Sequence, residues 1–174
     1  MQRWQARAIY YPTLGYNYVL GRLLKVRNWW DEVNDHLVLG AVPLHRDPEL
    51  FAAMGVTAVV NMCEEYAGPA AHYERLGIEQ LWLPTVDFNH PSKADVQLGA
   101  AFIEQHASSG GKTYVHCKAG RARSATVALW WLVRYRGMTA EEAQATLLAA
   151  RPHTNPQILA RPVIVQLCRE LESA

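Results

Sequence analysis

The sequence predicts an α/β domain, a central, mostly parallel twisted sheet flanked by helices. Short apolar runs alternate with segments of helical periodicity along most of the chain, the pattern of strands joined by helical crossovers. The boundaries carry the usual punctuation, with Pro or a hydroxyl residue at helix starts and Gly at their ends. At 174 residues, half of them hydrophobic, the chain is long enough to bury one substantial core.

After the polar turn at Asn34-Asp35, HLVLGAVP (His36–Pro43) reads as a strand. DPELFAAMG (Asp47–Gly55) reads as a short helix capped by Asp47, with Pro48 at its first position and Gly55 as terminator. VTAVVNM (Val56–Met62) is β-branched and continuous, the mark of a buried strand. A short helix over Ala70–Leu76 stops at Gly77, and GIEQLWLPTVD (Gly77–Asp87) alternates before entering the loop NHPS. Ala94–Ser108 has helical spacing and ends at Gly110-Gly111, and TYVH (Thr113–His116) is a short strand. ATVALWWLVRYR (Ala125–Arg136) is a helix apolar enough to be buried, Thr139–Ala150 begins as a capped amphipathic helix, and a last helix covers Ile158–Leu171.

Composition excludes several classes. A formal net charge of +1 argues against a bulk nucleic-acid binder, and no apolar run approaches the roughly 20 residues that span a bilayer. Three cysteines, Cys63, Cys117 and Cys168, with no zinc spacing, fit a reducing compartment better than a disulfide scaffold. GGKT (Gly110–Thr113) resembles the end of a Walker A loop, but His106 stands where the first glycine is required. No GxSxG, HExxH or EF-hand loop occurs.

The N-terminus is uneven. Residues 1–30 hold Arg3, Arg7, Arg22, Lys25 and Arg27 with seven Trp and Tyr residues, and the first acid is Asp31. This basic, aromatic arm suits either an anionic membrane surface or packing of its rings on the domain formed by residues 31–174. An organelle targeting signal fits less well, because Ser is absent and Pro12 interrupts the helical pattern.

The chemistry concentrates in HCKAGRARS, His116–Ser124. Cysteine with arginine six residues later is weak by itself, since chance supplies it roughly one time in five. Context gives it weight: a strand delivers His116 and Cys117, and a helix starts near Arg123-Ser124. The amides of Lys118, Ala119, Gly120, Arg121, Ala122 and Arg123 can then curl around an anion at a helix N-terminus. Gly120 permits close approach or positive φ, and Arg123 can fork two hydrogen bonds to a phosphoryl group. The same field lowers a thiol from about 8.5 to roughly 3.5–7.5, making Cys117 a thiolate poised for in-line attack. Ser124 can hydrogen-bond its sulfur, and His116 sits behind the loop, ordering backbone carbonyls rather than acting as a base.

A leaving oxygen also needs an acid on a loop that can close over the site. Asp87 follows a strand and precedes a polar loop; Asp95 competes but belongs to the first turn of a helix, where it complements the dipole. Glu64, Glu65 and Tyr66 follow another strand and are expected at the substrate mouth.

With these residues assembled, HCKAGRARS resembles the signature loop of the cysteine-based protein tyrosine phosphatases, dual-specificity branch. YYPTLGYNYVL, WWDEVNDHLVLGAVPL, NMCEEY, LGIEQLWLPTVD and YVHCKAGRARSATV are together similar to the mitochondrial-type phosphatidylglycerophosphate phosphatases and their plant and bacterial relatives, from about Tyr11 to Thr139. The resemblance implies that phosphatase fold and a two-step, cofactor-free and metal-free hydrolysis. In it Cys117 forms the phosphocysteine, Arg123 holds the phosphoryl oxygens and Asp87 is acid and then base. It also implies a lipid phosphomonoester on the route to cardiolipin; phosphotyrosine, phosphothreonine or phosphoinositide substrates remain the alternative. An inactive phosphate-binding scaffold is the reading from another class, and the intact Cys117, Arg123 and Ser124 count against it. The expected partners are an anionic phospholipid or a phosphoprotein, with no nucleic acid, on a monomer. The expected location is the periphery of the mitochondrial inner membrane for a eukaryotic source, and cytoplasm or membrane periphery for a bacterial one.

Overall fold

The computed structural model describes residues 3–173; Met1 and Gln2 of the predicted arm, and Ala174, lie outside the described residues. Five strands, β1 (Trp30–Asn34), β2 (Leu37–Gly40), β3 (Val56–Cys63), β4 (Glu79–Thr85) and β5 (Lys112–His116), form one sheet in the order β1-β2-β5-β3-β4. All neighbours pair parallel except β1 with β2. The α/β prediction of a mostly parallel sheet therefore holds. β1 was not anticipated, because WDEVN carries too many polar residues to read as a strand. It forms the half-exposed edge of the sheet, where one polar face is tolerated.

Side-chain alternation assigns the two faces. Leu37, Leu39, Ala58, Val60 and Val115 point to one layer, with α4 (Lys93–Ser108), α5 (Arg123–Arg136), α6 (Ala140–Ala150) and α7 (Pro162–Glu172). Val38, Val59 and Tyr114 point to the other, under Phe51 of α2 (Asp47–Ala53) and Tyr73 of α3 (Ala70–Arg75). Residues Arg123 to Val133 of α5 are all buried, as its all-round apolar sequence requires. Thr139 and Glu142 form the reciprocal capping box at the start of α6.

Three boundaries differ from the sequence expectation. Arg46, not Asp47, caps α2; Asp47 lies one residue inside, where its carboxylate accepts the Leu44 amide at 2.7 Å and pairs with Arg22 at 2.5 Å. The last helix starts at Pro162 rather than Ile158, because a residue preceding proline is pushed to extended backbone and Arg161 sits at ψ 131°. Pro12 does not interrupt the N-terminal helix, and α1 runs from Arg3 to Tyr18 straight through it. Proline removes only one amide donor, and packing of the helix on the domain compensates: Tyr10 is buried and Lys118 Nζ donates to Thr13 Oγ1 at 2.8 Å. A π-helical turn, Val19–Leu23, follows, with the Leu24 amide on the Val19 carbonyl at 2.8 Å. Trp29 then buries against Ala41 and Val42.

The carboxyl ends of β2 and β5 meet through two glycines. Gly120 has φ +64°, and a Cβ on it would lie 2.4 Å from the carbonyl carbon and oxygen of Gly40. A Cβ on Gly40 would in turn strike the Tyr114 hydroxyl, which donates to the Ala41 carbonyl at 2.6 Å. Gly120→Ala is expected to destabilise the fold by about 1–3 kcal/mol through φ strain and this collision, measured by urea unfolding.

Candidate active site

Cys117 follows β5 directly, and the Cys117–Ala122 loop leads into the first turn of α5. Every carbonyl from Lys118 to Arg121 is engaged from outside the loop. The Val42 amide donates to Lys118 O at 3.3 Å, and the Asn155 amide to Arg121 O at 2.9 Å. Arg151 donates from Nη2 to Ala119 O at 3.1 Å and from Nε to Gly120 O at 3.0 Å. In a trans peptide the amide opposes the carbonyl, so the N–H groups of residues 119 to 122 turn toward the sulfur side. The amides of Ala122 and Ser124 bond the Cys117 sulfur, and Ser124 Oγ donates to Sγ at 3.3 Å.

These donors set the acidity of the thiol. Burial alone would raise Cys117, but the Arg123 charge and the hydrogen bonds from Ser124 and Ala122 bring it down to about 6. Cys63, at the end of the neighbouring strand, has no such donors, and burial carries it well above the ordinary thiol range even with Arg123 nearby.

Arg123 is buried and held from the ends of two strands, β3 and β4. Nη1 donates to Thr85 O at 2.6 Å, Met62 O at 3.4 Å and the Glu65 carboxylate at 3.0 Å, while Nη2 lies 3.0 Å from Asp87 Oδ1. Burial disfavours its charge, but Cys117, Cys63, Asp87 and Glu65 together raise its pKa further. The carboxylate of Asp87 also accepts a short hydrogen bond from Lys118 Nζ. Lys118 is enclosed between the rings of Tyr10 and Phe88, at 5.7 and 5.0 Å.

The structure therefore gathers Cys117, Lys118, Arg123, Ser124 and Asp87 at one place. Asp95 stays apart in the first turn of α4, its amide on Ser92 Oγ at 3.1 Å and its carboxylate on the same hydroxyl at 2.6 Å. Two expectations need correction. Glu64, Glu65 and Tyr66 do not line the cleft. Glu65 is buried between Arg123 and the Asp87 amide, which it accepts at 2.7 Å, Glu64 pairs with Arg7 at 3.0 Å, and the Tyr66 hydroxyl donates to Pro43 O at 3.2 Å. A carboxylate two residues beyond a strand end folds back on the nearest buried guanidinium, which adjacency in sequence cannot reveal. His116 is fully buried and neither ring nitrogen makes a well-formed hydrogen bond. Burial lowers it to about 3 despite an interaction with the Cys117 backbone, so the ring is neutral packing beside Tyr114, 5.7 Å away, and the loop carbonyls are ordered by Arg151 instead.

Arg151 was missed by sequence reasoning. It is buried, pairs with Asp31 at 2.5 Å and reaches Trp29 O at 3.3 Å besides the two loop carbonyls. Arg161, also missed, donates to Thr126 Oγ1 at 3.0 Å and lines the cleft. The only hint in sequence was the arginine density of RPHTNPQILARP. The cleft, about 580 Å³, opens between Thr13, Tyr16 and Asn17 of α1 and the Asp87–Asn89 turn. Lys118, Arg121, Arg123 and Arg161 line it against one carboxylate, Asp87.

A thiol of lowered pKa at a strand end, inside a ring of amides at a helix N-terminus with a buried arginine, defines a cysteine-dependent phosphatase. The description "dual specificity phosphatase, catalytic domain" matches residues 37–167, and the chain belongs to that family. It is 37% identical over 166 residues to the phosphatidylglycerophosphate phosphatase PTPMT2 of Arabidopsis thaliana, covering 94% of this chain and 73% of that protein. It is 34% identical over 174 residues to the phosphatidylglycerophosphatase and protein-tyrosine phosphatase 1 of Rattus norvegicus, covering 95% and 88%. Among solved structures, PTPMT1 in complex with PI(5)P superposes with a TM-score of 0.75 at 29% identity, over 84% of this chain and 98% of that one. Tk-PTP in its active form gives 0.70 at 27%, over 83% and 97%.

Alkylation of Cys117 by iodoacetamide should rise with pH through a midpoint near 6, because only the thiolate reacts, while Cys63 stays inert. Ser124→Ala should move that midpoint upward, read by mass spectrometry of the labelled peptide. Arg151→Met should lower stability by about 3 kcal/mol in urea unfolding, through the unpaired Asp31 and the released loop carbonyls.

Proposed function

We propose that this phosphatase hydrolyses the phosphomonoester of an anionic glycerophospholipid, with phosphatidylglycerophosphate as the best-fitting substrate. The observation that carries this reading is the charge of the cleft, four cations against one carboxylate beside a thiol poised as thiolate. Such a substrate bears two phosphates. The monoester fits the amide ring and Arg123, and the phosphodiester fits the two other arginines of the cleft, Arg121 and Arg161. The names of the relatives and the PI(5)P bound to PTPMT1 support a lipid.

In the proposed reaction the monoester oxygens take the guanidinium of Arg123 and compete with Asp87 for it and for Lys118. Asp87, released from both cations and protonated from solvent, faces the leaving oxygen. The Cys117 thiolate attacks phosphorus as the P–O bond to the glycerol breaks, and Asp87 gives its proton to that oxygen. The carboxylate then takes a proton from water, which attacks the phosphocysteine, and phosphate departs as Ser124 stabilises the returning thiolate. Glu65 positions Arg123 and Arg151 positions the loop. Residues 1–30 belong to this working unit, because α1 supplies one wall of the cleft. Among the described residues no helix is long and apolar enough to cross a membrane, so access to a lipid is proposed to be peripheral.

Phosphate release from phosphatidylglycerophosphate in mixed micelles, compared with phosphoinositides and phosphopeptides, tests the substrate; strong turnover of phosphopeptides with none of the lipid would refute it. Cys117→Ser should abolish release. Asp87→Asn should cost on the order of 10²–10³-fold on the lipid but far less on p-nitrophenyl phosphate, whose leaving group needs no proton.

A further inference from the structure

Helix α1 is amphipathic with the usual faces exchanged. Its inward face carries Tyr10, Thr13, Leu14 and Asn17: Lys118 lies over the Tyr10 ring and bonds Thr13, Leu14 packs on the Trp29 cluster, and Asn17 accepts from Arg27 at 2.6 Å. Its outward stripe, at spacings of three and four, is Trp4, Ala8, Tyr11 and Gly15, all exposed, followed by exposed Val19 at the start of the π-helical turn. The π-helical turn and the residues after it add further exposed apolar side chains, with Leu23, Leu24 and Val26 between 62% and 70% exposed, beside Tyr11 at 73% in α1. A helix that serves only to pack on its domain turns such a stripe inward.

The helix that carries the stripe also forms one wall of the cleft, through Thr13, Tyr16 and Asn17. Tyr16 belongs to the same helix and lines the opening, and Phe88, 61% exposed at φ +64°, stands on the facing wall. The surroundings are basic. Lys25 and Arg121 are exposed, and residues 3–30 contain no acid.

We infer that this face, the outward stripe of α1 with the Leu23–Val26 segment and Phe88, docks on the surface of an anionic phospholipid bilayer, so that the cleft opens directly onto the headgroups. Aromatic and aliphatic side chains over a cationic border match the interfacial layer of such a membrane. A second copy of the chain would oppose the same basic border across a two-fold axis, like charge against like charge. With α1 in the membrane plane, a phospholipid reaches the thiolate headgroup first and need not leave the bilayer. The inference rests on the lipid-phosphatase reading and adds to it the surface that delivers the substrate.

The test uses the full chain and a triple substitution of exposed residues outside the cleft, Tyr11→Ser, Leu23→Ser and Leu24→Ser. Sedimentation is measured with phosphatidylcholine vesicles, with and without phosphatidylglycerol. Wild type should sediment with the anionic vesicles and not the neutral ones, and the variant with neither. Turnover of p-nitrophenyl phosphate and of short-chain, monomeric phosphatidylglycerophosphate should be unchanged, whereas turnover of the long-chain lipid in vesicles should fall on the order of tenfold. Equal sedimentation and equal vesicle turnover of the two proteins would overturn the inference, as would a wild-type dimer in light scattering that the substitutions abolish. Failure of wild type to hydrolyse even the monomeric lipid would overturn the lipid reading instead, because sedimentation is read without turnover.

Discussion

The site depends on one constraint: four consecutive carbonyls, Lys118 to Arg121, are bound from outside their loop. A six-residue turn has no intrinsic reason to point its amides at one spot, and a free loop would satisfy its carbonyls with water. Holding the carbonyls outward leaves the amides facing the sulfur, so the oxyanion cradle is built before any phosphate arrives. Gly120 is where the chain needs both positive φ and contact with the Gly40 backbone. Arg151 is the main clamp, reaching the loop, β1 and the segment before it with one guanidinium.

Charge balance around Arg123 is the second layer. Glu65 and Asp87 pair with it, and Lys118 pairs with Asp87, so two cations and two carboxylates share a nearly dry space. Each partner offsets the desolvation of the others, which a lone buried guanidinium could not survive. The division of labour between the acids follows from geometry: Glu65 is enclosed behind Arg123, whereas Asp87 lies on the cleft wall at the start of a turn. Cys63 and Cys117 make the same point for thiols, since equal burial gives opposite acidities according to the donors that meet each sulfur.

The N-terminal helix links this chemistry to delivery. By anchoring Tyr10 and Thr13 on Lys118 it becomes a wall of the cleft, and its apolar stripe is left facing outward. Enzyme and candidate docking surface are thus packed together rather than a domain with a trailing arm.

Local features made much of this legible in the sequence. The alternation of strands and helices, the buried α5 and the capping box at Thr139 depend on residues within a few positions of one another, as does the strand–Gly–helix setting of HCKAGRARS. Asp87 was distinguishable from Asp95 because one follows a strand and the other opens a helix. Tertiary structure decided the rest. Arg151, Arg161 and the Asn155 amide meet partners some 30 residues away or more, at distances where spacing carries no information. Glu65 was visible as an acid but not as the partner of Arg123, and Pro12 as a breaker but not as a residue that packing could override. The sequence determined which residues could make a thiolate and a cradle, because propensity and periodicity act locally; the packing of distant segments decided which way the loop, the acids and the stripe of α1 face.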